Sequence, residues 1–316
     1  MIQKNSKPKL VTKNKSYSIQ DSALYMIKTK KHLARVLLID VEKLKNIKDI
    51  CTQYNVFSTN GKSNKLREIQ TPINVLETIH NRIASLLCRI KTPDFLHSGK
   101  KNHSNISNAK VHLGENLKIL TIDIEKFFPS TASKKIYEFF LYGMKCNKTV
   151  SKILTQLCTY NECLPTGSRI SMPLAYFSNM LMFQEMALLA SKHQINMTVY
   201  VDDITFSGSN ISTLFYKLVK KITIRHQHSI NDDKTRFYTE YQPKLITGAI
   251  LKGNSLLIRN KHHKELYEFK ELYSFTKDNN PTQLSEVRNK LIGKLYSCGV
   301  INVKYKSEAK VYQNYL

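Results

Sequence analysis

Acidic residues interrupt two segments of the sequence that are otherwise apolar enough to form buried strands. The first segment, 117–124, reads Leu-Lys-Ile-Leu-Thr-Ile-Asp-Ile and carries a single acid, Asp123. The second, 197–206, alternates on both sides of an acidic pair, Asp202–Asp203, as the strands of a hairpin do. Because a carboxylate in a buried strand is unfavourable unless its charge is compensated, the pattern favours folds in which a sheet presents carboxylates to a cation.

Neighbouring strands of one sheet would bring Asp123 close to Asp202 and Asp203, although they are far apart in the sequence. Carboxylates and substrate phosphates are the usual ligands of Mg²⁺, and two such ions can activate a hydroxyl and stabilise a leaving pyrophosphate. Taken separately, the acidic pair is also typical of a polar turn, and Asp123 of a helix cap. Their joint occurrence with the motifs below favours a metal site for nucleotidyl transfer.

The chain is strongly basic, since 49 Lys and Arg residues outnumber 24 Asp and Glu residues and leave a net charge of +25. Such a field attracts nucleic-acid phosphates or acidic lipid. The absence of a run of 18 apolar residues argues against a membrane span. The lysines from Lys4 to Lys15 predict a flexible basic arm at the start of the chain. The six cysteines include no C-x-x-C pair, which favours free thiols in a reducing cytoplasm.

Hydrophobic periodicity predicts the other elements. The predicted helices are 24–37, 73–87, 135–144, 150–159, 173–193, 214–228 and a helical region from 261 to the end. The predicted strands, besides those that carry the acids, are 66–72, 244–250 and 255–258.

With these acids, the chain resembles the reverse transcriptases, and within them the bacterial retron type, over roughly residues 60–300. The segment 120–130 resembles the first catalytic motif, in which Asp123 binds metal. Phe128 matches the aromatic steric gate that crowds a ribose 2′-OH and so favours dNTPs over rNTPs; a core aromatic is its alternative role. Tyr200–Asp203, read Y-V-D-D, is similar to the catalytic box of the family.

The segment 164–173 stands in the place of a family loop usually read P-Q-G-x-P-x-S-P. The resemblance implies that Thr166 and Gly167 contact the nucleotide. Thr166 replaces the usual Gln and Arg169 replaces the inner Pro, while Gly167 is retained. These departures leave the detail of the nucleotide and template contacts open.

Two charged residues complete the predicted substrate contacts. Asn231–Thr235 resembles I-N-x-x-K-T, in which Lys234 would lie near the pyrophosphate and protonate it. Arg67 resembles the arginine of R-x-I-x-x-P, which contacts the incoming triphosphate. A solvated surface side chain is the alternative for each.

Two short elements are typical of retrons among reverse transcriptases. Asn108–His112 fits N-A-x-x-H, and Ile246–Gly248 is close to V-T-G. The resemblance implies RNA binding by the C-terminal region and by Asn108, His112, Thr247 and Gly248. The alternative for most lysines of the C-terminal helices is that they simply face solvent.

The resemblance implies an α+β right-hand polymerase with fingers, a palm whose antiparallel sheet has helices on one face, and a C-terminal helical thumb. The basic arm and fingers would occupy 1–116, the palm 117–258, with interleaved fingers elements, and the thumb 259–316. Asp123, Asp202 and the backbone carbonyl of Ile124 would hold two Mg²⁺ ions, for which Mn²⁺ can substitute, and Asp203 would adjust the site.

The implied activity is the copying of a structured noncoding RNA into DNA from dNTPs. Synthesis would start from a guanosine 2′-OH of that RNA and give a branched RNA–DNA product, msDNA. A host ribonuclease H would trim the template, and an effector protein encoded nearby would complete a cytoplasmic antiphage defence module. The alternatives are a defence-associated or intron-derived reverse transcriptase with a different primer, and a catalytically idle RNA-binding scaffold.

Overall fold

The computed structural model describes residues 10–60, 66–279 and 281–314, so residues 1–9 of the predicted basic arm lie outside the described residues. The predicted α+β class is confirmed, because helices alternate with small antiparallel sheets. The helices are α1 (Lys30–Leu37), α2 (Ile47–Cys51), α3 (Asn74–Leu87), α4 (Asn105–Lys110), α5 (Phe127–Ser130), α6 (Ser133–Glu138), α7 (Lys148–Cys158), α8 (Ser171–Ser178), α9 (Met180–Lys192), α10 (Thr213–Arg225), α11 (Asn260–Asn279), α12 (Pro281–Gly299) and α13 (Val303–Asn314). The strands are β1 (Tyr54–Asn60), β2 (Leu66–Pro72), β3 (Lys118–Asp123), β4 (Asn196–Tyr200), β5 (Asp203–Gly208), β6 (Arg236–Tyr238), β7 (Lys244–Ile246), β8 (Ala249–Lys252) and β9 (Ser255–Ile258).

The central sheet has the strand order β4-β5-β3-β6 and contains both acid-bearing segments predicted from the sequence. All its pairings are antiparallel, and β3 is hydrogen-bonded on both sides, to β5 and β6. Leu120 and Ile122 of β3 are buried in the main apolar cluster of the chain. A central, apolar β3 therefore fixes the position of Asp123 at its carboxyl end.

Helices pack beside this sheet through the apolar stripe that the sequence predicts for α3. Leu76, Ile79 and Ile83 are fully buried, as amphipathic spacing requires. The helix predicted over 173–193 is instead two helices, α8 and α9, which meet at Asn179. Asn179 leaves the helical conformation, and its side-chain amide donates to the carbonyl of Ala175 at 2.9 Å.

The segment after the central sheet forms the three-stranded sheet β7-β8-β9. The strand predicted over 244–250 is divided because Thr247 and Gly248 have φ values of +41° and +94° and form the turn between β7 and β8. The helical region predicted at the C-terminus is confirmed as α11 to α13. These helices share an apolar cluster of their own with Ile258 of β9, which includes Leu291 and Leu295.

The hairpin of β1 and β2 precedes α3. The strand predicted over 66–72 is present, whereas its partner β1 carries no apolar alternation and is almost wholly exposed, so periodicity missed it. The helix predicted over 24–37 begins only at Lys30, after a turn. Among the described helices, none combines the length and the apolar character needed to cross a membrane.

Candidate active site

The carboxylates of Asp123, Asp202 and Asp203 come together at one end of the central sheet. Asp123 lies directly opposite Asp203 in the antiparallel register of β3 and β5. Asp202 lies in the turn between β4 and β5, where its carbonyl accepts a hydrogen bond of 2.9 Å from the backbone N–H of Ile124. The predicted convergence of acids is therefore present, and backbone pairing holds it in place.

The turn that carries Asp202 requires an unusual backbone conformation. Val201 has φ = +64°, in the left-handed region that is unfavourable for a β-branched residue. Such conformations persist where the surrounding structure enforces them and are frequent at functional sites. The antiparallel ladder between β4 and β5 and the contact of Asp202 with Ile124 supply that enforcement here.

The three carboxylates form a group with the composition and spacing of a metal site. Ligand oxygens of Asp123, Asp202 and Asp203 lie within 4.8 Å of one another, and the described residues contain no other such group of three or more His, Cys, Asp or Glu side chains. Asp123 is only 7% exposed. Burial, and then the nearby charge of Asp123, raise the pKa of Asp202. The crowded carboxylates fit a divalent cation, which would offset their repulsion and to which oxygen ligands are suited.

Lys234 provides part of the charge compensation. Its Nζ donates to both carboxylate oxygens of Asp123, at 2.8 and 2.9 Å. The backbone beside it is also fixed, since the N–H of Asn231 donates to the carbonyl of Asp123 at 2.9 Å. Lys234 thus lies in the acidic group, and its role at the pyrophosphate stays a prediction.

Arg67 acts on the same group from the β1–β2 hairpin. The positive charges of Lys234 and Arg67 both work to lower the pKa of Asp202, although burial and Asp123 outweigh them. Arg67 belongs to β2, so the hairpin brings a guanidinium close enough to act on the charge of Asp202. Its contact with a triphosphate stays a prediction.

Phe128 lies on the short helix α5, which begins shortly after strand β3. The chain reverses at Lys126, whose φ is +46°, and this turn directs Phe127 into the core. Phe128 remains half-buried against the main apolar cluster, with its ring centroid 6.0 Å from that of Phe127. One face of Phe128 is thus supported by the core, while its role as a steric gate stays a prediction.

The loop containing Thr166 and Gly167 is attached to strand β2. The N–H and hydroxyl of Thr166 donate to the Gln70 side-chain carbonyl at 2.9 and 3.0 Å, and the same hydroxyl lies 2.8 Å from the carbonyl of Glu68. Gly167 is pressed so closely against β2 that a Cβ there would lie 2.6 Å from the carbonyl oxygen of Gln70. Thr166 therefore joins this loop to the strand of Arg67, whereas nothing in the structure explains Arg169.

The structure corrects the direct RNA contacts predicted for Asn108 and His112. Asn108 is 0% exposed and His112 is 1% exposed, so neither side chain presents a surface to RNA. The imidazole of His112 lies between the hydroxyls of Ser207 and Thr198, each at 2.7 Å, and burial lowers its pKa to about 3. His112 thus ties the turn after α4 to the central sheet.

Thr247 and Gly248, the other predicted RNA-binding residues, are half-buried beside α4. Thr247 donates its hydroxyl hydrogen to the carbonyl of Asn105 at 2.6 Å, and the amide of Asn105 donates to the carbonyl of Thr247 at 2.9 Å. The two short elements therefore belong to one contact region. RNA binding by Thr247 and Gly248 stays a prediction.

Sequence reasoning missed two sets of residues near the acids. Gln70, which holds Thr166, lies on the predicted strand 66–72 but carries no motif signal. Lys135, Asn179 and His228 form a polar network behind Phe127 and come from segments far apart in the sequence. A lysine on an otherwise amphipathic helix gives no indication that its side chain is half-buried.

No family model matches the chain. The Retron Ec86 reverse transcriptase of Escherichia coli is 26% identical over 223 residues, which cover 68% of this chain and 68% of that protein. The Retron Se72 reverse transcriptase of Salmonella heidelberg is 30% identical over 60% of this chain and 52% of its own length. The resemblance to retron-type reverse transcriptases is confirmed.

A further retron relative and a solved structure complete the comparison. The Retron Mx65 reverse transcriptase of Myxococcus xanthus is 23% identical over 62% of this chain and 50% of its own length. The chain thus spans about half the length of two of these three retron relatives. A foamy viral protease-reverse transcriptase, solved with double-stranded DNA, gives a TM-score of 0.44 at 13% identity over 77% of this chain and 35% of the viral chain.

Proposed function

We propose that this chain is a retron reverse transcriptase, an RNA-directed DNA polymerase that uses dNTPs and two Mg²⁺ ions. The observation that carries the proposal is the convergence of Asp123, Asp202 and Asp203 at the end of an antiparallel sheet. The similarity to retron reverse transcriptases supports the same chemistry. The excess of positive charge suits a protein that holds nucleic acid.

The acids would bind the metal. Asp123, Asp202 and the carbonyl of Ile124 hold the ions, for which Mn²⁺ can substitute, and Asp203 adjusts the site from the opposing strand. When bound, the ions supply Lewis-acid activation of the primer hydroxyl and stabilisation of the leaving pyrophosphate. The backbone bond from Ile124 to Asp202 keeps the ligands at a fixed separation.

Two cations would serve the phosphates. Arg67 orients the triphosphate from the β1–β2 hairpin, and Lys234 donates a proton to the leaving pyrophosphate. Lys234 is half exposed beside the buried Asp123, which allows its ammonium to face both the acid and the solvent side of the site. Its ion pair with Asp123 keeps that carboxylate oriented before substrate binds.

The sugar and base would be positioned by residues of two other segments. Phe128, supported by Phe127, excludes a ribose 2′-OH and so selects dNTPs. Thr166 and Gly167 form the nucleotide-binding loop, whose attachment to β2 fixes its distance from Arg67.

The lobes follow from this assignment. Residues 1–116 form the basic arm and fingers, 117–258 the palm, with interleaved fingers elements, and 259–316 the thumb. The C-terminal helices, with Thr247 and Gly248, bind a structured noncoding RNA. Synthesis from a guanosine 2′-OH of that RNA gives branched msDNA, and a host ribonuclease H trims the RNA template. The cytoplasmic complex serves antiphage defence together with an effector protein encoded nearby.

The polymerase proposal is tested by replacing the acids of the β4–β5 turn. Asp202→Ala combined with Asp203→Ala should abolish Mg²⁺-dependent extension of a primer on an RNA template. The matched control removes two exposed acids, Glu42 and Asp49, and should retain activity. Unchanged DNA synthesis in the first variant would refute the assignment, whereas an inactive wild-type chain that still binds RNA would identify a scaffold.

The priming proposal needs a separate measurement. The 5′ end of DNA that copurifies with the protein should carry a 2′,5′ branch to a guanosine. A free or protein-linked 5′ end would instead assign the chain to a reverse transcriptase of another lineage.

A further inference from the structure

A polar network lies behind the segment that carries Phe128. The half-buried Lys135 of α6 is at its centre, and its Nζ donates to the Asn179 side-chain carbonyl at 2.9 Å and lies 2.8 Å from Nε2 of His228. Nζ also contacts the carbonyl of His226. Asn179 and His228 are 3% and 5% exposed. We call Ser130, Lys135, Asn179 and His228 the Lys135 network.

The imidazole of His228 connects Lys135 to the α5 segment. Its Nε2 lies 2.8 Å from Nζ of Lys135 and 2.7 Å from the side-chain carbonyl of Asn179, and its Nδ1 forms a hydrogen bond of 2.9 Å with the hydroxyl of Ser130. That hydroxyl in turn lies 3.3 Å from the carbonyl of Glu125 and 3.2 Å from the carbonyl of Phe127. Burial, and then the charge of Lys135, lower the pKa of His228 to about 3, which keeps the imidazole neutral.

The residues that follow His228 hold the same segment from its other end. The N–H of Glu125 donates to the carbonyl of Ser229 at 2.9 Å, and the imidazole of His228 lies 5.6 Å from the ring of Phe127. Phe128 therefore stands between a fixed turn at Glu125 and a fixed hydroxyl at Ser130. Its position depends on the network, although it touches none of the network's charged atoms.

The network is an unfavourable way to stabilise a core. The three groups that Lys135 contacts are uncharged, and partial burial lowers the pKa of its ammonium to about 8 although the charge of Glu138 works against that shift. Withdrawing a cation from water costs stability, and apolar residues of similar volume would avoid that cost. Fully satisfied polar networks do, however, fix one local conformation.

We propose that Lys135 and His228 are positioning residues that hold Phe128 in place and thereby set the discrimination between dNTPs and rNTPs. The proposal rests on the polymerase function proposed above and extends it to residues that do not contact substrate. A steric gate acts over the dimensions of one hydroxyl group, so a displacement of about 1 Å is enough to change selection.

The test is Lys135→Met, which retains a long side chain but removes the ammonium. Single-nucleotide extension on an RNA template measures kcat/KM for a dNTP and for the matching rNTP. The ratio of the two values should fall about tenfold in Lys135→Met, because Phe128 is released. Lys134→Met, which removes an exposed lysine from the same helix, is the matched control and should leave the ratio unchanged.

A double-mutant cycle with Phe128→Ala separates positioning from general damage. If Lys135 acts through Phe128, Lys135→Met should not change the ratio further in the Phe128→Ala background. An equal loss in both backgrounds, or an unchanged ratio in a folded Lys135→Met variant, would overturn the proposal.

Folding of each variant is checked by thermal melting. If Lys135→Met does not fold, Ser130→Ala decides the question. It removes the hydroxyl that links His228 to the backbone carbonyls of Glu125 and Phe127. A lowered dNTP preference in Ser130→Ala supports the proposal, and an unchanged preference overturns it. Failure of the wild-type chain to extend with dNTPs would refute the polymerase function itself and is seen before any ratio is measured.

Discussion

Gly167→Ala should damage nucleotide incorporation more than it damages folding. A Cβ at this position would lie 2.6 Å from the carbonyl oxygen of Gln70 and 2.8 Å from Cγ2 of Ile69 and Oγ1 of Thr71. The nearest of these atoms belongs to the backbone of β2, which is paired with β1 and cannot turn aside as a flexible side chain can. The loop and the strand must therefore separate.

The size of the effect follows from the size of that separation. Ordinary van der Waals contact begins at 3.4 Å, so the loop must move by about 0.8 Å from Gln70. Overpacking of this kind costs about 1 to 3 kcal/mol of folding free energy. A displacement near 1 Å in a substrate-positioning loop can lower the rate by about 10²-fold.

Primer extension with varied dNTP concentration gives kcat/KM, and thermal melting gives the change in stability. Gly293→Ala is the matched control, because the added Cβ on helix α12 would have nothing within 4 Å besides the adjoining backbone of that helix. That variant should melt slightly higher, since Ala is favoured over Gly in a helix by roughly 0.5 to 1 kcal/mol. Wild-type kcat/KM in Gly167→Ala would refute the argument that the loop is held against β2.

Three further outcomes are expected. Lys234→Met should lower kcat by about 10²-fold if its ammonium protonates the leaving group. Lys221→Met removes an exposed lysine and is the control, which should retain the wild-type kcat. A wild-type kcat in Lys234→Met would exclude that role. Gln70→Met should lower the rate of dNTP incorporation by roughly tenfold, because Thr166 loses the acceptor of its hydrogen bonds, each of which contributes about 1 kcal/mol. Unchanged steady-state kinetics of primer extension would contradict this prediction. Burial lowers the pKa of His80 to about 4 in the native protein. Below about pH 6.5 the unfolded chain therefore binds a proton at His80 that the native protein does not bind, and the free energy of unfolding should fall between pH 6.5 and 4. Urea unfolding should show about 2 kcal/mol less loss from pH 7.5 to 5 in His80→Asn than in the wild type; an equal loss would show that His80 is not the group responsible.

The acids of the site could be predicted because their signal is local. Asp123 interrupts a continuous apolar strand, and Asp202 and Asp203 interrupt an alternating hairpin, so each departs from a pattern that only a few neighbours define. Strand pairing then follows from hydrophobic burial, and the register brings Asp123 opposite Asp203.

Contacts between distant polar residues could not be predicted in this way. The prediction of one helix over 173–193 was wrong at Asn179. The side chain of Asn179 forms hydrogen bonds with Lys135 and Thr131, and hydrophobic periodicity gives no information about where those residues lie. Short motifs also identify a residue without its exposure. Asn108 and His112 matched a retron element, yet the structure buries both, and burial is decided by how α4 packs on the sheet.

The separate apolar cluster of α11 to α13 has a consequence for how related chains diverge. Leu291 and Leu295 pack among residues of the C-terminal helices and not among those beneath Asp123. Substitutions in this cluster change side chains that do not pack against β3, so the C-terminal helices can diverge among related chains while the packing beneath Asp123 is retained. Chimeras that keep Ile258 together with α11 to α13 would test that independence.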